Sequence, residues 1–210
     1  MSTLSTLKAE IADDLSRSDL TTAIAAEITR SIKHFQKENL FFKENEAAQF
    51  VTVIGQVYYA TSDDADIGNM VTFDAVKCRV SNSDYNLVRL DIDTFETLND
   101  GQVSNGQPTN WIYYNQKIGI YPPPDAVYTI SMSGSVKAAA PAADGTTGNV
   151  WMVEGFELLR AHTLAQLSRF KTREYDYAAH MDVEAQRQLF DLRARTEKLK
   201  ATGQTVPIDF

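Results

Sequence analysis

The apolar residues of this chain change period twice, and that limits the folds open to it. Near the N-terminus Leu4, Leu7, Ile11 and Leu15 recur at steps of three and four. After a polar break at Ser16 to Asp19, Leu20, Ile24, Ile28, Ile32 and Phe35 do the same. Such spacing gathers side chains on one helix face. It predicts two helices in an antiparallel hairpin, the second capped by Asp19. The middle of the chain loses this period. FVTVIGQVYYA, MVTFDAVKCRV and NLVRLDI are rich in valine, threonine and aromatics, and TSDDADIGN and SNSD punctuate them as turns. Helical spacing then returns in Met152, Phe156, Leu159, Thr163, Leu167 and Phe170, after a capping Asn149. It continues in Ala178, Met181, Ala185, Leu189, Leu192, Thr196 and Leu199.

A chain that is helical at both ends and strand-like between them predicts an α+β fold. The expected architecture is a four-helix core formed by the N- and C-terminal helices, with an inserted antiparallel β-sandwich-like domain. The expected boundaries are 1–46 for the first hairpin, 47–138 for the β domain and 139–148 for a linker. The C-terminal helices take 149–201 and a tail 202–210. Lys43 to Ala48 reads as a polar connection, and AAAPAADGTTG as a flexible one.

Within the β block, WIYYNQKIGIYPPPDAVYTI (111–130) reads as a hairpin followed by a stop. Trp111 to Tyr114 and Lys117 to Tyr121 are the strands, and Asn115-Gln116 the turn. Three prolines cannot donate ladder hydrogen bonds, so they end one strand and route the chain to the next, Val127 to Val136. Asp91 and Asp93 alternate with apolar residues as on a strand, and Asp93 to Leu98 suits a single helical turn.

No phosphate-cradling or nucleophile-elbow motif occurs, and His34, His162 and His180 lack a second histidine at metal-ligating spacing. Asp63, Asp64 and Asp66 lie in one loop but lack the later glutamate of a calcium loop, so they read as a solvated acidic turn. Cys78 in a strand-like run reads as a buried, inert thiol. No enzyme activity, cofactor or metal is expected. The formal charge of −8 argues against general nucleic-acid binding. No apolar run is long enough for a membrane helix, and MSTLSTLKAEIADD does not read as a signal peptide. Between Arg169 and Lys200, eight basic and six acidic residues make a net-positive segment in this acidic chain. The basic end of the last helix suits an acidic partner or the helix dipole.

The helical hairpin, the β block ending in WIYYNQKIGIYPPPDAVYTI and the two C-terminal helices together resemble the adaptor, or head-to-tail connector, proteins of short-tailed bacteriophages. Trp111, Ile118, Ile120, Pro122, Pro124, Asp125 and Tyr128 carry the first part of the likeness. Leu159, Leu164, Ala165 and Leu167 carry the second. The resemblance implies a structural virion protein assembled in the host cytoplasm. It implies a homo-oligomeric ring, a dodecamer, docked under the portal protein and extending the DNA channel. DNA would pass without sequence-specific binding, and no membrane is involved. On this reading Arg193, Arg195, Lys198 and Lys200 approach the portal. So do Val206, Ile208 and Phe210, which lie on one side of an extended tail after Gly203; the other reading of this tail is that it folds back on its own subunit. The loops Thr61 to Asn69 and Asn99 to Asn110, with Asp63, Asp64, Asp66, Asn105 and Gln107, would meet the tail nozzle or tail fibre proteins. The main alternative is a small-molecule or glycan-binding module using Tyr58, Tyr59, Trp111, Tyr113 and Tyr114. A hydrolase with an unrecognised site is a third reading.

Overall fold

The computed structural model describes residues 2–101 and 103–200. The fold is α+β, and the chain divides into two compact units. One unites the residues up to Lys43 with those from Lys137 on. The other is Glu44–Val136.

The helical unit holds α1 (Leu4–Asp14), α2 (Thr21–Phe35), α5 (Val150–Val153), α6 (Phe156–Leu167) and α7 (Tyr175–Lys200). Leu7 and Ile11 of α1, Ile24, Ile28 and Ile32 of α2, Leu158, Leu159 and Leu164 of α6, and Ala185 of α7 belong to one buried cluster. α6 is buried on nearly every side, whereas α7 buries only Ala178, Ala185 and Thr196, with Met181, Leu189 and Leu192 half-covered. The N-terminus of α1 is capped by Thr3, whose hydroxyl accepts from the Thr6 amide. Its C-terminus closes on Ser16 in the left-handed region (φ 49), with the Arg17 amide donating back to the Ala12 carbonyl.

Three helical expectations are corrected. Asp19 does not cap α2. It takes both ends of the Arg17 guanidinium at 2.7 Å, which holds its carboxyl down at about 2, and α2 starts without a side-chain cap. The stripe from Met152 to Phe170 is not one helix. It breaks at Gly155, where a Cβ would come within 3.1 Å of the Trp151 backbone, and α6 begins afresh. Past Leu167 the backbone widens into a π turn over Ser168–Thr172. That turn rotates Phe170 away from the buried face and leaves it 70% exposed. Leu199, at the end of the second stripe, is also exposed.

The β unit holds two four-stranded sheets. The first, in order β1-β8-β3-β4, pairs β1 (Glu44–Val51), β8 (Thr129–Ser135), β3 (Ala75–Val80) and β4 (Ser83–Asn86), all antiparallel. The second, in order β2-β7-β6-β5, pairs β2 (Tyr58–Tyr59), β7 (Lys117–Tyr121), β6 (Asn110–Tyr114) and β5 (Val88–Arg89). The block is not wholly antiparallel, because β5 runs parallel to β6. Parallel neighbours need a crossover, and α4 (Ile92–Asn99) lies in that connection. Both sheets feed one cluster that includes Phe50, Val76, Cys78, Trp111, Ile118, Ile120, Ile130 and Met132.

The segment expected to be a polar connection, Lys43 to Ala48, is instead a buried lysine followed by β1. Glu44, Glu46 and Ala47 read as linker because they lie on the exposed face of this edge strand. The β6–β7 turn is the expected Asn115-Gln116, with φ of 49° and 60° as a two-residue hairpin of this hand requires. The prolines lack donors but keep their carbonyls. Pro123 accepts from the Gly106 amide at 2.8 Å and Pro124 from the Gly55 amide at 2.9 Å. The proline run therefore ends β7 and anchors two loops at once.

Candidate functional site

The residues singled out by sequence fall in separate places, and most are engaged within the chain. At the end of α7, Arg193 donates from Nε and Nη2 to Glu38 Oε2 at 3.0 and 2.7 Å. Arg195 donates to Glu154 at 2.9 Å, and its guanidinium lies 4.2 Å over the Phe41 ring. The Thr196 hydroxyl accepts the Phe41 amide at 3.0 Å and donates to the Leu192 carbonyl at 2.8 Å. These contacts fasten α7 to the turn after α2 and to the α5–α6 junction. Lys198 and Lys200 are exposed at its tip. Val206, Ile208 and Phe210 lie outside the described residues.

The acidic turn is a short helix, α3 (Ala65–Asn69). Asp64 caps it, accepting the Asp66 amide at 2.9 Å. Asp66 accepts the outward-facing amide of Gln49 on β1 at 3.1 Å and so covers part of that sheet edge. Asp63 accepts the Ala60 amide at 2.7 Å and the Gln56 side-chain amide at 3.0 Å, which hold its carboxyl below the usual range. Three neighbouring carboxylates thus serve three different backbone tasks. No group of three or more His, Cys, Asp or Glu able to hold a metal occurs among the described residues. Asp91 also differs from its strand reading. It caps α4, accepting from the amide and hydroxyl of Thr94 at 2.9 and 2.7 Å, and both bonds hold its carboxyl low.

In the Asn99 to Asn110 loop, Asn105 is exposed and Gln107 half-buried. Gly106 between them bonds to Pro123, and the Thr109 amide donates to the Tyr121 carbonyl at 2.9 Å. The second half of this loop is thus bonded to the end of β7 and the proline run that follows it.

The aromatic residues do not share a face. Tyr59 and Trp111 are buried, and the Tyr59 hydroxyl is used on the Val53 and Gln56 carbonyls. Tyr113 packs on Phe73 with ring centroids 4.8 Å apart. Tyr58 and Tyr114 are the exposed ones. Tyr58 sits instead on an open groove of about 520 Å³, lined also by Asp93, Glu96, Thr97, Asn99 and Asp100 of the α4 region. Burial, with Glu96 adding to it, raises the Tyr58 hydroxyl above its ordinary value. Cys78 is buried, and that burial pushes its thiol up to about 11.

Three arrangements escaped the sequence. His34 of α2 and His162 of α6 stack, with His162 Nδ1 2.8 Å from the Ser31 hydroxyl, itself 3.1 Å from that of Thr163. Lys43 is 1% exposed and donates to the carbonyls of Gln36 and Glu38, the latter at 2.6 Å. Burial lowers its ammonium to about 8. Arg173 follows the π turn with φ of 62°, a left-handed conformation usually left to glycine or asparagine. Helical spacing alone pairs no two helices, so the first was invisible. The proximity of Lys43 to a helix end was the one signal for the second.

No helix among the described residues is long and apolar enough to cross a membrane. The family model described as SU10 adaptor protein matches residues 2–207. No curated protein matches the chain.

Proposed function

The chain belongs to the SU10 adaptor protein family, and from that membership we propose that it is the head-to-tail adaptor of a bacteriophage particle. In this reading identical subunits form a ring under the portal, extend the DNA channel and give the tail nozzle or fibres their platform. The extent of the family match carries the reading. Residues 2–207 take in both the helical unit and the inserted β unit, so the shared feature is the whole arrangement and not one module.

The charge is consistent with this role. A subunit of net −8 that lines a channel repels phosphates and leaves DNA free to slide, whereas a basic wall would hold it. The portal-facing surface is assigned to the end of α7. There the internal ion pairs of Arg193 and Arg195 fix the helix, and Lys198 and Lys200 lead toward Val206, Ile208 and Phe210. The tail-facing surface is assigned to the β unit.

Two observations on phage particles test the reading. Mass spectrometry of purified virions is expected to find the protein in multiple copies per particle. Particles made without it are expected to be DNA-filled heads lacking tails. Complete, infective particles without this protein would overturn the assignment.

A further inference from the structure

A glycine follows an aspartate or asparagine at three places in this chain: Asp100-Gly101, Asn105-Gly106 and Asp144-Gly145. Such a pair is chemically labile. Without a Cβ on the second residue, its backbone nitrogen can reach the carbonyl carbon of the preceding side chain and close a five-membered imide. Asp100, Asn105 and Asp144 are all exposed, so exposure does not separate them.

The hydrogen bonds do. Ring closure turns the peptide unit between the two residues as one rigid plane. In Asn105-Gly106 that plane is held, because the Gly106 amide donates to the Pro123 carbonyl at 2.8 Å. The next plane is held as well, with the Gly106 carbonyl accepting the Asp125 amide at 3.3 Å. In Asp144-Gly145 the Asp144 carbonyl accepts the Ser5 amide at 3.0 Å, and Lys8 Nζ donates to Asp144 Oδ1 at 2.5 Å. Turning either plane breaks these bonds.

Asp100-Gly101 lies just past α4 and has no such restraint. Among the described residues, neither the Asp100 carbonyl, nor its carboxylate, nor the Gly101 amide has a hydrogen bond. Gly101 has a φ of 112°, a region that glycine enters readily and other residues do not. A Cβ built there would meet nothing within 4 Å, so neighbouring atoms do not oppose the turn.

We propose that Asp100-Gly101 is a site of spontaneous isoaspartate formation in the folded chain. The Gly101 nitrogen attacks Cγ of Asp100 in its protonated carboxyl form. An N–Cγ bond forms, the amide proton passes to solvent, and the carboxyl hydroxyl leaves as water. A second water then adds at the main-chain carbonyl carbon of Asp100 and breaks its bond to the Gly101 nitrogen. The chain now runs through Cβ and Cγ, one atom longer, and the freed main-chain carboxylate becomes the side group. Only water enters or leaves. Asp100 lines the α4 groove beside Tyr58 and Glu96, so the reaction repositions a carboxylate there. It also makes the subunit a substrate for an enzyme that methylates isoaspartyl carboxyls.

Ageing the full chain in neutral buffer, folded and in guanidinium chloride, tests the site. Isoaspartate is measured by methyl transfer from S-adenosylmethionine with an isoaspartyl methyltransferase and located by peptide mapping. Comparing folded and unfolded rates at each site cancels the faster intrinsic chemistry of asparagine. At Asp100 the two rates are expected to agree within about twofold, whereas at Asn105 and Asp144 the folded rate is expected to be at least about tenfold lower, because attack there waits for local opening. Gly101→Ala is expected to cut the folded rate at Asp100 at least about tenfold, since its methyl group crowds the attacking nitrogen. The other two sites should keep their slow rates in that variant, which reports that it is folded.

A folded chain that protects Asp100 as strongly as Asn105 overturns the proposal. So does full-rate reaction at Asn105 or Asp144 in the folded chain, or unchanged isoaspartate at residue 100 in Gly101→Ala. If Gly101→Ala unfolds, its other two sites accelerate, and the wild-type rates alone decide.

Discussion

The imidazole rings of His34 and His162 stack across the α2–α6 contact, centroids 5.1 Å apart and planes 18° from parallel. Phe35 meets the His162 ring edge-on at 5.0 Å. Burial lowers the pKa of His162, and the neighbouring His34 lowers it further, while Arg169 adds a small push in the same direction. Glu27 and Asp182 oppose them.

A histidine held neutral in the fold takes up a proton more readily once unfolded. Stability is therefore full above the unfolded pKa of about 6.5 and falls as pH drops through that value toward the lower folded one. The melting temperature is expected to decline on acidification below about pH 6.5, before the carboxylates titrate. In a proton NMR titration the His162 ring should titrate below 6.5, and His34→Gln should move it upward. A His162 pKa at or above 6.5 in the native protein would contradict this account.

Lys43 predicts the opposite end of the pH scale. Its ammonium is solvated by the Gln36 and Glu38 carbonyls in place of water, and its pKa falls from 10.5 to about 8. Burying the charge costs stability below pH 8, and that cost is relieved as pH rises from about 8 toward 10.5. Wild-type stability in urea is expected to rise across this window relative to Lys43→Met, which should show no such rise. Parallel curves for the two proteins would place the lysine in solvent.

The helical core predicts unequal costs for equal truncations. Leu159 on α6 is fully buried, and Leu159→Ala should cost roughly 2–5 kcal/mol in chemical denaturation. Leu189 on α7 is only half-buried, so Leu189→Ala should fall below that range. Equal losses would mean that α7 is more deeply packed than its exposure indicates.

Gly134 predicts a backbone clash. A Cβ there would come within 2.1 Å of the Thr72 carbonyl oxygen, where β8 meets the chain leading into β3. Gly134→Ala should destabilise the β unit by about 1–3 kcal/mol, measured by thermal melting. An unchanged melting temperature would show that the strand shifts freely.

Truncation after Thr202 tests the portal assignment. The described helices and the ion pairs between them all precede that point, so the shortened chain is expected to melt like the full one. It is expected no longer to co-sediment with tailless, portal-bearing heads. Undiminished co-sedimentation would remove Val206, Ile208 and Phe210 from the portal contact.

The succession of helices, strands and helices is legible in the residue order, because hydrophobic period is a local property that survives without tertiary context. Ile24, Ile28 and Leu159 are buried where their spacing put them, and the Asn115-Gln116 turn sits between the strands that flank it. The partner of each polar group, by contrast, is set by the folded chain. Asp19 had the chemistry of a cap, but Arg17 offered a two-bond partner and took it. Asp63, Asp64 and Asp66 looked like one acidic turn, yet they answer three separate backbone donors, including one from β1. Lys43 looked like linker and lies buried, because two carbonyls near a helix end replace its water. Phe170 fitted the helical stripe, and one π turn carried it to the surface. A hydrogen bond or ion pair goes to whichever partner the folded chain brings within about 3 Å, and that distance is set by elements far apart in sequence. Burial follows local pattern, whereas polar pairing follows assembly, and so the core was legible in the sequence and the interaction surfaces were not.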